Sequence, residues 1–468
     1  MKRYRFLSVL ALAGSLTVSS CDDLLDIPPK NVSLQDDIFK DPANAQLILA
    51  STYEVLRAGN FMGGSSWVFS ELLADNINGT GITGDWNEYY SRNSTIFNGS
   101  TRSFWADGYR TIYRANVLIA NIDQIQGLPD AERNRIKGEA LFLRAISHFE
   151  IVRLFAQPYG FTTDNSHLGI PLRLTPTQEP LLRATVAQVY NQIIADLTEA
   201  STLIPPVNNN YASGWSAKGY LAKVHFQMNS FQKAYDFSDD VLKNSPFRFE
   251  QDFKNRFKAG GSTEDVFALV STGLNSNSSS RVQDHYRSDN NRRPNVRVAA
   301  DLLADATSNP NDKRGQEWFR VVNPGTPNEE VFITKYNGPD FFNVPLLSVT
   351  ELKLIRAESA AELNRNLPVA IADLNDIRTR AYGAGNNTVS ATANARTIID
   401  IARQERRIEL ATEGVRLHDL KRIAVRENPT LRIRGAVWNC PGLIIQFPDD
   451  EVSANPNFQR NPEGGCAN

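Results

Sequence analysis

Residues 138–160, GEALFLRAISHFEIVRLFAQPYG, constrain the fold of this 468-residue chain more than any other stretch. Apolar side chains fall at Leu141, Phe142, Ala145, Ile146, Phe149, Val152 and Phe155. Steps of three and four residues are the period of one face of an α-helix. Ala140, Leu141 and Leu143 favour helix intrinsically, and after Gly138 no Gly or Pro intervenes before Pro158. A helix so rich in Phe and Leu cannot hold its shape alone in water and must lie between other helices. The chain therefore reads as a helical array from which long excursions depart.

Other stretches repeat the pattern. Asp41-Pro42 opens a helix over about 42–58, with Ala45, Ile48, Leu49, Tyr53 and Leu56 on one side, and WVFSELLADN makes a short helix ending at Asn76. Helices at about 103–122 and 130–157 form an αα-hairpin across Gly127-Leu128-Pro129, and another helix spans 184–200. Residues 213–242 carry Ala217, Gly219, Tyr220, Leu221 and Val224, then Phe231, Ala234 and Val241, with a turn near Asn229. Small residues where helices cross are what tetratricopeptide-like repeats require. A similar pair falls at 351–366 and 367–381, and a last clear helix at 397–414. The excursions are 77–102 and 245–345; strands at 266–270 and 330–336 bracket the second, which marks it as ordered. The expected class is mostly α, with helical hairpins, long ordered loops and a few short strands.

The N-terminus carries an address. Lys2 and Arg3 precede an apolar run, Phe6 to Leu16, too short to span a membrane as a mature helix but suited to an export signal over 1–20. Ser19-Ser20-Cys21 resembles a lipoprotein processing site, with acylation at Cys21, though Val18 stands where Leu is usual. Residues 21–40, with Pro28-Pro29, then form a tether to a helical domain over 41–468. Acylation of Cys21 leaves Cys440 and Cys466, which an oxidising compartment allows to pair. A net charge of -2 offers no footprint for nucleic acid.

Several of these pieces carry a resemblance. The 138–160 stretch with Gly169–Pro176, GIPLRLTP, is similar to the core of the SusD/RagB family. So are ELLADN at 71–76, Asp312-Lys313-Arg314, and the set Glu405-Arg406, Glu409-Leu410, Glu413-Gly414, Arg416 and Asp419-Leu420. Residues 447–463 match the family's closing segment, with Phe447 and Asp449 as mild departures. The resemblance implies a surface lipoprotein of the outer membrane that binds glycan, or peptide in one branch, for a SusC-like TonB-dependent transporter. It implies no bond chemistry and no cofactor, and leaves a structural cation open.

The residues themselves point the same way. Glu405 and Glu409 share a helix face, but Arg403, Arg406, Arg407 and Arg416 are near in sequence, and arginines hold carboxylates ionised, which suits a salt-bridge network better than a general acid. The five histidines are scattered, and no His-Glu-x-x-His, calcium-loop or nucleophile-elbow pattern occurs. His148 is expected to be packed and hydrogen-bonded. Sugars present C–H faces and hydroxyls, so a site needs an aromatic platform beside amide and guanidinium groups. The 77–102 loop supplies Trp86, Tyr89 and Tyr90 with Asn78, Asp85, Asn87 and Arg92. By the resemblance Trp86 is the platform, Asn78 or Asn87 a polar contact, and the second excursion adds Tyr286, Arg287, Arg292 and Trp318. The alternative role for each is core filling or contact with the transporter. Trp105 and Trp215, on helix faces, are expected in the core. Oligopeptide capture by the same frame, and glycoside hydrolysis, are the competing functions.

Overall fold

The computed structural model describes residues 39–274 and 277–466. The signal segment, Cys21 and all but the end of the tether lie outside the described residues.

The array begins with α1 (Pro42–Leu56), where the Asp41 carboxylate accepts the Ala43 N–H at 2.9 Å and Pro42 sits in the first turn at no hydrogen-bond cost. α2 (Ser65–Leu73), β1 (Ile77–Asn78) and the short α3 (Asp85–Tyr90) follow. α4 (Gly99–Asn121) and α5 (Asp130–Phe155) form the expected hairpin. β2 (Leu168–Pro171) pairs with β3 (Arg183–Thr185) and leads into α6 (Val186–Leu203), whose N-terminus is closed by a Thr185/Gln188 capping box. α7 (Gly214–Gln227) and α8 (Phe231–Asn244) are joined through Asn229, in the left-handed region at φ 56°.

From Gly138 to Phe155 every residue of α5 is buried, which exceeds the single apolar face expected. The polar residues survive there because they are partnered. Arg144 donates to both Asp196 oxygens at 2.7 and 2.8 Å and to Asn116 at 2.9 Å, while Tyr53 donates to Glu139 at 2.5 Å. His148 is also wholly enclosed, with neither ring nitrogen finding a side-chain partner, and burial holds it down to about 3, so it stays neutral. Packing, more than hydrogen bonding, accounts for it.

The second excursion holds β4 (Asp265–Leu269), α9 (Ser280–Tyr286), β5 (Arg297–Val298), α10 (Ala300–Thr307), α11 (Lys313–Glu317), β6 (Phe319–Val322), β7 (Glu330–Ile333) and β8 (Val344–Ser348). Both expected strands exist, each in its own two-stranded pair. β4 runs antiparallel to β8, with Leu269 opposite Val344, and β7 runs antiparallel to β6, with Ile333 opposite Phe319. The β4–β8 pair closes the base of the excursion.

Beyond it come α12 (Val349–Glu362), α13 (Leu367–Tyr382) and α14 (Ala395–Glu409). α12 packs directly on α8 as well as on α13 and α14, so the array resumes where it was left. α14 stops at Glu409, short of the expected 414, because Thr412 and Gly414 turn the chain at φ 65° and 72°. α15 (Arg416–Arg426), the β9 (Arg432–Ile433)–β10 (Ala436–Val437) pair and α16 (Asp449–Ala454) end the fold. Cys440 and Cys466 are joined as a disulfide. The closing segment satisfies the carbonyls at the end of α5: Ile445 N–H donates to Leu154 at 2.9 Å and the Asn461 amide to Phe155 at 2.8 Å. The result is a mostly α-helical, tetratricopeptide-like array with few short strands.

Candidate functional site

The acidic positions of α14 are structural. Glu405 and Glu409 are 1 % and 0 % exposed. Arg314 lies 2.8 Å from Glu405 and 2.9 Å from Glu409, and Arg380 lies 2.9 Å from Glu409. Burial pushes the Glu409 carboxyl up, but Arg380, Arg314 and Arg256 outweigh it and hold it down to about 2. The partners are not the arginines nearest in sequence. Arg403 serves Glu358 and Glu362, Arg406 serves Glu351 and Asp419, Arg407 reaches Asp305, and Arg416 takes Asp75. Glycosidic cleavage needs carboxyls that a substrate can reach; these are sealed in.

The ELLADN motif explains itself in the same way. Glu71 accepts the Gly414 N–H at 3.1 Å, Asp75 receives a two-pronged bond from Arg416 at 2.7 and 2.8 Å, and Asn76 accepts from Arg407 at 3.1 Å. Two motifs more than 300 residues apart in the chain are each other's partners. Asn76 also sets the next element, since its carbonyl accepts the Ala299 N–H at 2.8 Å. That bond starts the antiparallel β1–β5 pair, with Ile77 opposite Val298 and Asn78 opposite Arg297. The two excursions are thereby stitched together.

The first excursion is more ordered than a loop. Gly84, at φ 59°, turns the chain into α3. Asn98 donates to the Asp85 carbonyl and to Glu88, both at 3.0 Å, and Asp85 accepts the Ser100 N–H at 2.8 Å. Trp86 is half-buried, its ring 5.5 Å from Phe69 and edge-on to His285 at 4.2 Å, with the Arg281 guanidinium 5.7 Å away. Burial, then Arg281, holds His285 down to about 4, so a neutral ring braces the tryptophan. Asn78 and Asn87 are exposed, as is Arg292 in the second excursion. Beside Asn78 a small recess is lined by Thr80, Arg297, Glu329 and Glu330, and Arg297 fixes Glu330 at 2.7 Å.

Five expected ligand contacts lie elsewhere. Tyr89 is fully enclosed and bonded to Asn98 at 2.8 Å and Thr101 at 2.7 Å. Arg92, 2 % exposed, donates to the Ile433 carbonyl. Tyr286 packs inside, tilted against Tyr336 with ring centres 5.7 Å apart, and Trp318 is buried edge-on to Phe253 with the Lys335 ammonium 4.5 Å over its ring. Arg287 is buried too, held by Asp289 at 2.7 Å. These side chains make up the walls that hold the excursions, and in this conformation they do not reach solvent. Tyr90 is half-buried and covered: Arg434 lies 4.0 Å over its ring, and a Cβ on Gly79 would stand 2.0 Å from it. Trp105 is buried as expected, whereas Trp215, also expected in the core, is half-buried and packs against it. Reasoning from the sequence missed Arg281, His285, Arg297 and Glu330. The 281–285 spacing, one helical turn, was the available signal for the first two.

Among the described residues no three His, Cys, Asp or Glu are grouped to hold a metal ion, and no helix is long and apolar enough to cross a membrane.

Two family models match the chain: residues 23–226 fit one described as starch-binding, associating with the outer membrane, and 302–463 fit the SusD family. SusD-like protein P2 of Formosa agariphila is 27 % identical, covering 99 % of this chain and all of that protein. A solved SusD superfamily protein from Bacteroides thetaiotaomicron superposes with a TM-score of 0.79 at 25 % identity, over 90 % of this chain and 99 % of its own. A laminarin-binding SusD-like protein shares the fold, with a TM-score of 0.71 at 20 % identity over 90 % and 99 %. With its motifs locked to one another as described, the chain belongs to the SusD/RagB family of non-catalytic, glycan-binding proteins of the outer membrane.

Proposed function

We propose that the protein is a surface lipoprotein, cleaved after residue 20 and acylated at Cys21, whose 41–468 domain captures an oligosaccharide and passes it intact to a SusC-like TonB-dependent transporter. The observation that carries the reading is the place of Trp86. It is a half-buried aromatic, braced by Phe69 and His285, on a fixed helix with exposed Asn87 next in sequence, and Asn78 and Arg292 are exposed on the two excursions that the β1–β5 pair joins. A platform held by its neighbours loses little freedom on stacking against a sugar ring, and amide and guanidinium groups suit its hydroxyls. Arg297 and Glu330 line the recess beside Asn78 and add polar groups there.

The test is a binding screen of glycan and peptide libraries against the full chain in detergent, with Trp86→Ala beside it. The expected outcome is glycan binding that Trp86→Ala weakens tenfold or more, about 1.4 kcal/mol, with an unchanged circular dichroism spectrum. Peptide binding alone would transfer the function to oligopeptide capture. Equal affinity in the variant would move the site away from Trp86.

A further inference from the structure

A second concave surface lies away from Trp86, between the α6–α7 connection and β4. Two adjoining cavities, of about 200 and 240 Å³, share Asn209, Asn210, Tyr211, Ala268 and Val270, and so form one groove. Tyr211 stands in its middle, 38 % exposed. Its ring leans on buried Tyr53, centres 4.9 Å apart, leaving the other side to the groove.

The loop that carries Tyr211 is held at several points. The Tyr53 hydroxyl accepts the Ala212 N–H at 3.1 Å while donating to Glu139. Asn208 donates to Glu139 at 2.9 Å and to the Ala212 carbonyl at 2.8 Å, and Gly214 N–H donates to Pro205 at 3.0 Å. Glu139 is itself buried in α5, so the core helix sets the height of the tyrosine.

Polar groups surround the ring. Asn209 and Asn210 are exposed on the rim, and Asn343 and Asp265 line the far wall. The Asp265 Oδ2 accepts the Ser262 N–H at 2.8 Å, whereas its Oδ1 is enclosed with no protein partner. An orphaned, enclosed acceptor behind a cavity wall is a place for a buried bridging water. Burial pushes this carboxyl up to about 7, so near neutrality it can also hold a proton and donate. Gly260 and Gly261, at φ 84° and 79°, keep the wall low, and no heavy atom lies within 4 Å of a Cβ built on Gly260.

We infer that this groove is a second saccharide-binding site, in which Tyr211 is the stacking platform, Asn209 and Asn210 take hydroxyls of a neutral oligosaccharide, and Asp265 reaches them through a bridging water. The inference rests on the glycan reading of the protein but not on the Trp86 site. A fixed aromatic face with amides and a carboxyl is the chemistry sugars require, and two joined cavities give room for more than one ring. A second contact on the same chain raises retention of a long glycan through effective concentration.

The experiment is calorimetric titration of the full chain in detergent with malto-, laminari-, xylo- and manno-hexaose, using wild type, Tyr211→Ala, Asn210→Ala and Trp86→Ala. At least one hexaose is expected to fill two sites on the wild type and one on Tyr211→Ala, with the Tyr211 site weakened three- to tenfold in Asn210→Ala. Asn210 is on the exposed rim, so its variant reports on the groove even if Tyr211→Ala fails to fold. Stoichiometry and affinity unchanged in both groove variants, or no hexaose bound by the wild type, would overturn the inference. Loss of one site in Trp86→Ala with the Tyr211 site retained supports both readings. Two sites retained in Trp86→Ala, with one lost in Tyr211→Ala, would defeat only the Trp86 reading.

Discussion

At the scale of single residues, the motif carboxylates of this chain are fasteners, and their environments differ. Glu409 sits among guanidinium groups and stays ionised, whereas Glu71 meets mainly neutral donors, Asn76 and the Gly414 N–H. Burial pushes Glu71 up to about 7, from an ordinary value of 4.5, with nearby Asp75 adding to the rise and Arg416 opposing it. Because the folded-state value is the higher one, the stability this carboxyl contributes is complete below about pH 4.5. It declines as the pH rises to about 7 and is constant above. Glu71→Gln removes that decline. At pH 4.5 the two proteins should unfold within about 1 kcal/mol of each other, since a protonated carboxyl and an amide are nearly isosteric. By pH 8 the variant should be the more stable by about 3 kcal/mol, because each pH unit between the ordinary and the folded-state value costs the ionised form about 1.4 kcal/mol. Urea unfolding at the two pH values measures the difference directly. A gap that does not widen with pH would mean that Glu71 is ionised in the fold.

At the scale of elements, periodicity carries far. The 138–160 stretch announces a helix that needs neighbours, and α5 is found with neighbours on every side. What periodicity cannot show is which partner a polar residue takes, because that is decided across the fold. Arg314 reaches α14 from the second excursion, while Arg416, at the start of α15, takes Asp75 and not the carboxylates of α14. The same limit applies to the site. Trp86, Asn78, Asn87 and Arg292 are found at the surface, but Tyr89, Tyr286 and Trp318 are not, since an aromatic in a polar stretch can equally be the stretch's own core. Glycines are the readable exception. A Cβ at Gly138 would stand 2.7 Å from Ile204 Cγ1, 2.8 Å from Leu203 Cβ and 3.1 Å from the Ile204 backbone nitrogen. Alanine gains about 1 kcal/mol of helix propensity there, but overpacking costs about 1–3 kcal/mol, and a Cβ and a backbone atom yield less than a side-chain tip. Gly138→Ala should therefore destabilise the protein by about 1 kcal/mol and part the α5–α6 contact. A raised melting temperature would show that the two helices can separate without loss.

At the scale of the whole molecule, the closing segment ties together parts that the array leaves separate. After Cys440 the chain runs past the end of α5, then meets the 94–97 stretch, where Gln446 N–H donates to Ser94 Oγ at 3.1 Å and Asp449 N–H to the Ile96 carbonyl at 2.9 Å. It goes on to Trp105, which donates to Glu451 at 3.2 Å, and to Arg183, which donates to the Gln459 carbonyl at 3.1 Å. The Cys440–Cys466 bond closes a span of 26 residues, and Gly442 N–H donates to the Gly465 carbonyl at 3.2 Å beside it. Gly442 is needed here, since a Cβ would fall 1.9 Å from the Arg92 carbonyl oxygen. A closed loop of this length stabilises by about 3 kcal/mol through the entropy it removes from the unfolded chain. Replacing both cysteines by serine should lower stability by about 2–4 kcal/mol. Because the strap and not the helical array is cut, hydrogen exchange should quicken over 440–466 and 92–98 before it does in α5 or α12. The glycan binding proposed at Trp86 should be retained below the lowered melting temperature, because Phe69 and His285 brace that residue from elements the disulfide does not hold. Uniform loss of protection across the array would instead make the strap part of one cooperative unit with the core.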